Sequence, residues 1–472
     1  MLVLAGEGKG LCAILAALCR PARNRLMTTA PAGSPRADTL LCPEWVLPMT
    51  DDGPFCQAGW AVALAEGKIA ALGPAEALQA RWPQATRTSL PKQALLPGFV
   101  NAHGHAAMSL FRGFADDMPL GPWLEERIWP LEGRYVSPEF VADGTALAAA
   151  EMLRGGTTTF SDMYFFPEVA ASVALRAGLR AQLCCPLIQF PTAWASGPEE
   201  GFRKTLELRD QYRDHDRIQV AFGPHSSYAL SPEHMARVAT LAEELDLPVQ
   251  IHLQETAAEV EDALKTHGER PIASLERYGL LSPRLQAVHL TQVSDSDLDR
   301  LQRYNVAVVH CPQSNLKLAS GFAPVARFLK AGLRVALGTD GAASNNALSM
   351  LRELQVAALL AKAVAQDATA LPAQAALRMA TRGGAEALGL DHRLGRLEAG
   401  YEADLVAISL GGLEAQPVYH PEAQLAYSVG DAAVRHCWVG GQQVLKDGTL
   451  TTLDPDALTR SAARWQHRMG AA

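Results

Sequence analysis

The chain of 472 residues contains 8 cysteines but no Cys-x-x-Cys pair. Cys12, Cys19, Cys42, Cys56, Cys184, Cys185, Cys311 and Cys437 follow no regular spacing. That argues against a zinc ribbon or a disulfide scaffold. They read as reduced, small apolar residues of a cytoplasmic protein. No apolar run reaches the length of about 18–20 residues that spans a bilayer. Residues 11–18 form a short apolar stretch, but Glu7 interrupts its basic flank and Cys19-Arg20 makes a poor cleavage site. Residues 1–26 therefore read as an extension outside the natural protein, with Met27 as the true start, and 1–37 as an N-terminal extension without fixed structure. Positive charge is also in deficit: 42 Lys and Arg against 50 Asp and Glu, a net charge of −8, with no Lys/Arg-rich run. Neither nucleic acid nor a membrane surface is an expected partner. Finally, no Gly-x-Gly-x-x-Gly follows an expected strand, so a dinucleotide site has no support.

What is present is an ordinary globular composition, 48% apolar and 19% charged, long enough for a large barrel with an accessory domain. Short strand-like segments separated by turn residues occupy 39–73 and return at 403–453. A β-layer divided between both ends suggests one discontinuous β-sandwich domain, 38–94 with 395–455, closed around an insert. A C-terminal helix or tail takes up 456–472. The insert, 95–394, alternates strand-like and helix-like segments. Its strand candidates are 94–100, 157–161, 180–184, 218–222, 249–252, 286–289, 306–310 and 334–337, with helical patterns such as 138–153, 232–245, 255–265 and 347–363. Eight strands with helical crossovers over this length predict an α/β fold, a (β/α)8 barrel.

Such a barrel keeps its chemistry where strands end. Here those ends carry His103 and His105, His225, His252 with Glu255, His289, and Asp340. A single histidine or aspartate at a strand end is ordinarily solvated or caps a helix; all of them at one end of one barrel is a different matter. His103, His105, His252 and Asp340 form a donor set suited to Zn2+, with Fe2+ or Mn2+ as alternatives, and with a position left for water. Such an ion lowers the pKa of water toward neutrality. Glu255, three residues beyond His252, can shuttle a proton to a ring nitrogen, the task of a glutamate in zinc-dependent base deamination. His289 and Asp340 can orient the nucleophile and take its proton. A second metal would want a further bridging ligand, for instance a lysine at the fourth strand's end. Phe222-Gly223-Pro224-His225 offers none, so one ion per chain is expected.

From about residue 38 to 450 the chain resembles the amidohydrolase superfamily. Within it the pattern is similar to the 5-methylthioadenosine/S-adenosylhomocysteine deaminases, close to the s-triazine chlorohydrolases. NAHGHAAMSLFRG at 101–113, WPLE at 129–132, GPHSSY at 223–228, HLQE at 252–255, CPQSN at 311–315 and GTD at 338–340 carry the likeness. The resemblance implies the same metal set and adds roles at the substrate. Glu132 matches a carboxylate that accepts hydrogen bonds from ribose hydroxyls, and His225 a histidine that contacts substrate. Glu255 matches the donor to the purine nitrogen beside the reacting carbon. Asp162, His310 and Asn315 read equally as supports of the site or as capping and core-polar residues. One departure bears on specificity. The resemblance calls for arginines near the third and fourth strands to bind an amino-acid tail. The loop 189–198 is apolar, Phe202 stands about where one arginine is expected, and Arg203 and Arg217 lie nearby. The implied substrate is therefore 5′-methylthioadenosine, with S-adenosylhomocysteine or adenosine turned over more weakly. Other aminated or chlorinated heterocycles (an s-triazine, guanine, a pterin) form the alternative, and a non-catalytic scaffold the reading from another class. Homo-oligomerisation is compatible with such a barrel, but no interface is marked.

Overall fold

In the computed structural model, residues 37–470 are described. The expectations for residues 1–26, and all of 1–37 but its last residue, lie outside them. Eight parallel strands run in sequence order around a nearly closed barrel: Phe99–Asn101, Thr157–Asp162, Arg180–Leu187, Ile218–Pro224, Val249–Leu253, Leu285–His289, Ala307–His310 and Arg334–Leu337. Backbone bonds from Ala102 N–H to Leu337 O (2.9 Å) and from Asp340 N–H to His103 O (3.1 Å) join the first strand to the last. Almost every residue of these strands is buried, as expected for parallel strands covered by crossover helices.

The helices begin where local chemistry starts them. Ser137 accepts from Phe140 N–H and Pro138 occupies the first turn of Pro138–Arg154. Ser231 with Pro232 does the same for Pro232–Leu245, and Thr256 caps Ala257–His267. The helix expected at 347–363 is Met350–Ala365, capped by Ser349. Helix Pro455–Gly470 stands where a C-terminal helix was expected; its Trp465 packs edge-on against Phe140 of Pro138–Arg154, with 5.2 Å between ring centroids.

The second sheet has nine strands, drawn from both ends of the chain. Strand Thr86–Pro97 pairs in parallel with Thr39–Val46 and antiparallel with Leu405–Ser409, which joins the two ends of the chain. This corrects the single strand expected at 94–100. Ala94, Leu95 and Leu96 belong to the second sheet, and the barrel begins at Phe99. Gly98 separates the two. A Cβ there would lie 2.2 Å from the Thr158 side chain, so only glycine lets the chain pass from one sheet to the other at this point. Apolar continuity across 94–100 concealed the switch, because both halves are buried.

Arg180, at the start of the third barrel strand, ties the two units together. Its guanidinium donates to both Asp404 carboxylate oxygens (2.8 and 3.1 Å) and to Glu402 (2.8 Å), and its side chain is 4% exposed.

Candidate active site

The two histidines after the first strand face its neighbour across the closure. His105 Nε2 lies 3.2 Å and His103 Nε2 3.6 Å from Asp340 Oδ1. His252, near the end of the fifth strand, brings its Nε2 to 3.1 Å from that of His103. Candidate ligand atoms of His103, His105 and Asp340, and of His103, His252 and His289, lie within 4.8 Å of one another. Gly338 makes the approach feasible, since a Cβ there would come 2.9 Å from the backbone nitrogen of His103. His289 (φ 77°) and Asp340 (φ 60°) both occupy left-handed backbone, which costs about 1–3 kcal/mol per residue and is characteristic of functional sites.

Each imidazole is committed on its outer nitrogen. His103 Nδ1 meets Gln250 Oε1 (2.7 Å), His105 Nδ1 the Met163 carbonyl (2.6 Å) and His252 Nδ1 the His225 carbonyl (2.5 Å). Those partners accept, so Nδ1 carries the proton and each Nε2 turns a lone pair inward. Two such lone pairs facing each other at 3.1 Å repel unless a cation lies between them. This arrangement fits a divalent ion held by His103, His105, His252 and Asp340.

Electrostatics divide the cluster. Burial drives His103 and His252 below the ordinary histidine range, and neighbouring imidazoles add to the effect. Burial disfavours charge on Asp340 as well, but the His103 and His105 bonds outweigh it and hold the carboxyl well below its usual value. For His105 burial also opposes charge, and Asp340 prevails, leaving the imidazole raised. Ser314 Oγ donates to Asp340 Oδ2 (2.6 Å).

Glu255 stands beside this cluster, its Oε2 3.6 Å from His289 Nε2 and its Oε1 accepting from Ser320 (3.1 Å). Burial and the Asp340 charge push its carboxyl up to about 8. His289 Nδ1 is held by Asn315 Oδ1 (2.8 Å), which leaves its Nε2 free to accept. Glu132 lies further out on helix Trp129–Tyr135 and accepts from Tyr164 OH (2.8 Å); burial raises it to about 7. His225 also borders the pocket, lowered to about 4 by burial and then by nearby imidazoles. His105, His252, His289, Asp340, Glu255, Glu132 and His225 open onto one cavity of about 600 Å3, and His103 lies buried behind them.

The other expectations divide. Asp162 accepts from Ala106 N–H (2.7 Å) and so anchors the loop that carries His105. Asn315 orients His289, whereas His310 is buried with its Nδ1 unpartnered among the described residues. Phe202 is fully buried against Phe222, outside the pocket lining, and Arg203 is an exposed residue paired with Glu207. Arg217 lies at the start of the fourth strand, the end opposite the histidines. Gln250 and Tyr164 were missed. Gln250 sits two residues before His252, on the same strand face, and that period-two spacing was the available signal.

The chain matches the model of the amidohydrolase family over residues 94–444. It belongs to the amidohydrolase family. An imidazolonepropionase-like composite-domain model matches residues 61–85 of this amidohydrolase. Two 5-methylthioadenosine/S-adenosylhomocysteine deaminases are close relatives. That of Teredinibacter turnerae is 51% identical, over 82% of this chain and 87% of its own. That of Saccharophagus degradans is 46% identical, over 92% and 97%. Among solved structures, an adenosine deaminase from Xanthomonas campestris with bound zinc superposes with a TM-score of 0.91 at 46% identity, covering 93% of this chain and all of that one. Within the family, this amidohydrolase falls with the 5-methylthioadenosine/S-adenosylhomocysteine deaminases. No helix among its described residues is long and apolar enough to cross a membrane.

Proposed function

We propose that this amidohydrolase hydrolytically deaminates 5′-methylthioadenosine, replacing the 6-amino group by oxygen and releasing ammonia. S-adenosylhomocysteine and adenosine are the weaker substrates. The observation that carries the reading is Glu255, a carboxyl raised to about 8, next to four inward-facing imidazole nitrogens in the same cavity as Glu132. The deaminase relatives support it.

His103, His105, His252 and Asp340 would hold one Zn2+ per chain. When bound, such an ion acidifies water and supplies hydroxide at neutral pH. Glu255, protonated below about pH 8, donates to the ring nitrogen next to the reacting carbon. His289 accepts the proton of the attacking water at Nε2. Glu132, steadied by Tyr164, accepts from the ribose hydroxyls, and His225 borders the base. Chloride displacement needs no proton on the leaving group, so a raised Glu255 favours an amine over a chlorinated ring.

We assign the catalytic unit to 98–394 and the accessory unit to 38–97 with 395–455. We place the protein in the cytoplasm, consistent with six unpaired cysteines among the described residues. Homo-oligomerisation is consistent with Leu413 and Tyr419, both strongly exposed on one segment; sedimentation as a monomer would refute it.

The ultraviolet change from adenine to hypoxanthine tests the main reading in zinc-reconstituted protein. Methylthioadenosine, adenosine and S-adenosylhomocysteine are compared at matched low concentration. The fastest loss is expected with methylthioadenosine; no change with any of the three would end the nucleoside assignment.

A further inference from the structure

The cavity is larger than the substrate named above. Methylthioadenosine has about 20 non-hydrogen atoms and at protein packing density fills roughly 300–400 Å3, against the cavity's 600 Å3. The chemistry of the walls is divided. With the base at the imidazole cluster and the ribose at Glu132, the 5′ substituent points to the remaining wall. Trp129 lies one helical turn before Glu132, on the same face of Trp129–Tyr135. Phe190 approaches it from the loop after the third strand, with ring centroids 6.4 Å apart and both rings strongly exposed. Leu120, Leu124, Ile188 and Pro191 continue this surface. No lysine or arginine lines the cavity among the described residues; every ionisable side chain is a histidine, a carboxyl or a tyrosine.

We infer that the pocket accepts adenine nucleosides whose 5′-thioether is much bulkier than methyl, provided that the group is apolar. The inference rests on the deaminase reading and extends its substrate class. A butyl or phenyl group displaces water from the Trp129–Phe190 wall and gains apolar contact there. A charged amino-acid tail of similar length loses its hydration and meets no cation in return.

The test measures kcat/KM of the zinc-loaded protein on methylthioadenosine, 5′-butylthio- and 5′-phenylthio-5′-deoxyadenosine, and S-adenosylhomocysteine. Both apolar analogues are expected at no less than about one-third of the methylthio value, with S-adenosylhomocysteine about tenfold or more below the phenylthio compound. A lower value for either analogue, or a smaller gap to S-adenosylhomocysteine, overturns the inference. Phe190→Ala should lower the phenylthio-to-methylthio ratio by about threefold or more; a ratio held above that limit places the tail elsewhere and overturns it too. Turnover of methylthioadenosine alone would leave the deaminase reading standing and remove only this extension. Inactivity on every compound would remove both.

Discussion

Glu255 and Gln250 illustrate two ways in which a single residue serves the site. Glu255 stands 3.6 Å from His289 beside the imidazole cluster, and replacing it by glutamine keeps its shape while removing its titration. Glu255→Gln should retain the metal and lose about 10²–10⁴-fold in kcat; near-native turnover would exclude the role. The pH dependence has a definite sign. Burial raises this carboxyl, so its acid form persists at neutral pH and is lost as pH rises through about 8. Turnover at saturating methylthioadenosine should therefore fall on the alkaline side of that value, and the limb should vanish from the residual activity of Glu255→Gln. Gln250 acts through His103, whose outer nitrogen it holds at 2.7 Å, and through its amide donation to Gln286 (2.7 Å). Gln250→Leu should weaken zinc affinity about 10–100-fold, measured by competition with a chromophoric chelator, while the folded far-ultraviolet signal persists. His103, His105, His252, Glu255 and Asp340 were legible as residues because their chemistry is unusual at strand ends. Gln250 was not, since a buried amide on a strand looks like any polar core residue until its partner is known.

At the scale of elements, the site depends on how closely the first and last barrel strands approach. Gly338 has no side chain where one would press on His103. Gly338→Ala should destabilise the fold by about 1–3 kcal/mol through overpacking and weaken metal binding with it. Urea unfolding and chelator competition would read both effects, and an unchanged midpoint with unchanged affinity would refute the contact. Strand and helix positions in the barrel were largely readable from apolar runs, caps and prolines. The passage at Gly98 was not, because hydrophobicity reports that a segment is buried and not which sheet it joins.

For the whole molecule, the barrel and the nine-stranded sheet share one buried charge cluster. Arg180 comes from the barrel, Glu402 and Asp404 from the returning C-terminal segment. Removing the cation leaves the buried Asp404 carboxylate without its guanidinium, while Glu402 keeps Arg393 at 3.5 Å. Arg180→Met should cost about 3–5 kcal/mol, visible as a lower thermal midpoint, whereas an unchanged midpoint would show that the cluster does not hold the two units together. None of this pairing can be read along the chain, since Arg180 lies 222 residues from Glu402 and 224 from Asp404. The sequence by itself determined the alternation of elements, the barrel they build, and which histidines and carboxyls stand at the strand ends, because periodicity and residue type are local properties. Only the tertiary structure decided which Nε2 atoms face each other, how far Glu255 is raised, and that the far wall of the pocket is aromatic and, among the described residues, lacks a cation. Those depend on distances and on exclusion of water, which arise when strands remote in sequence close into a barrel.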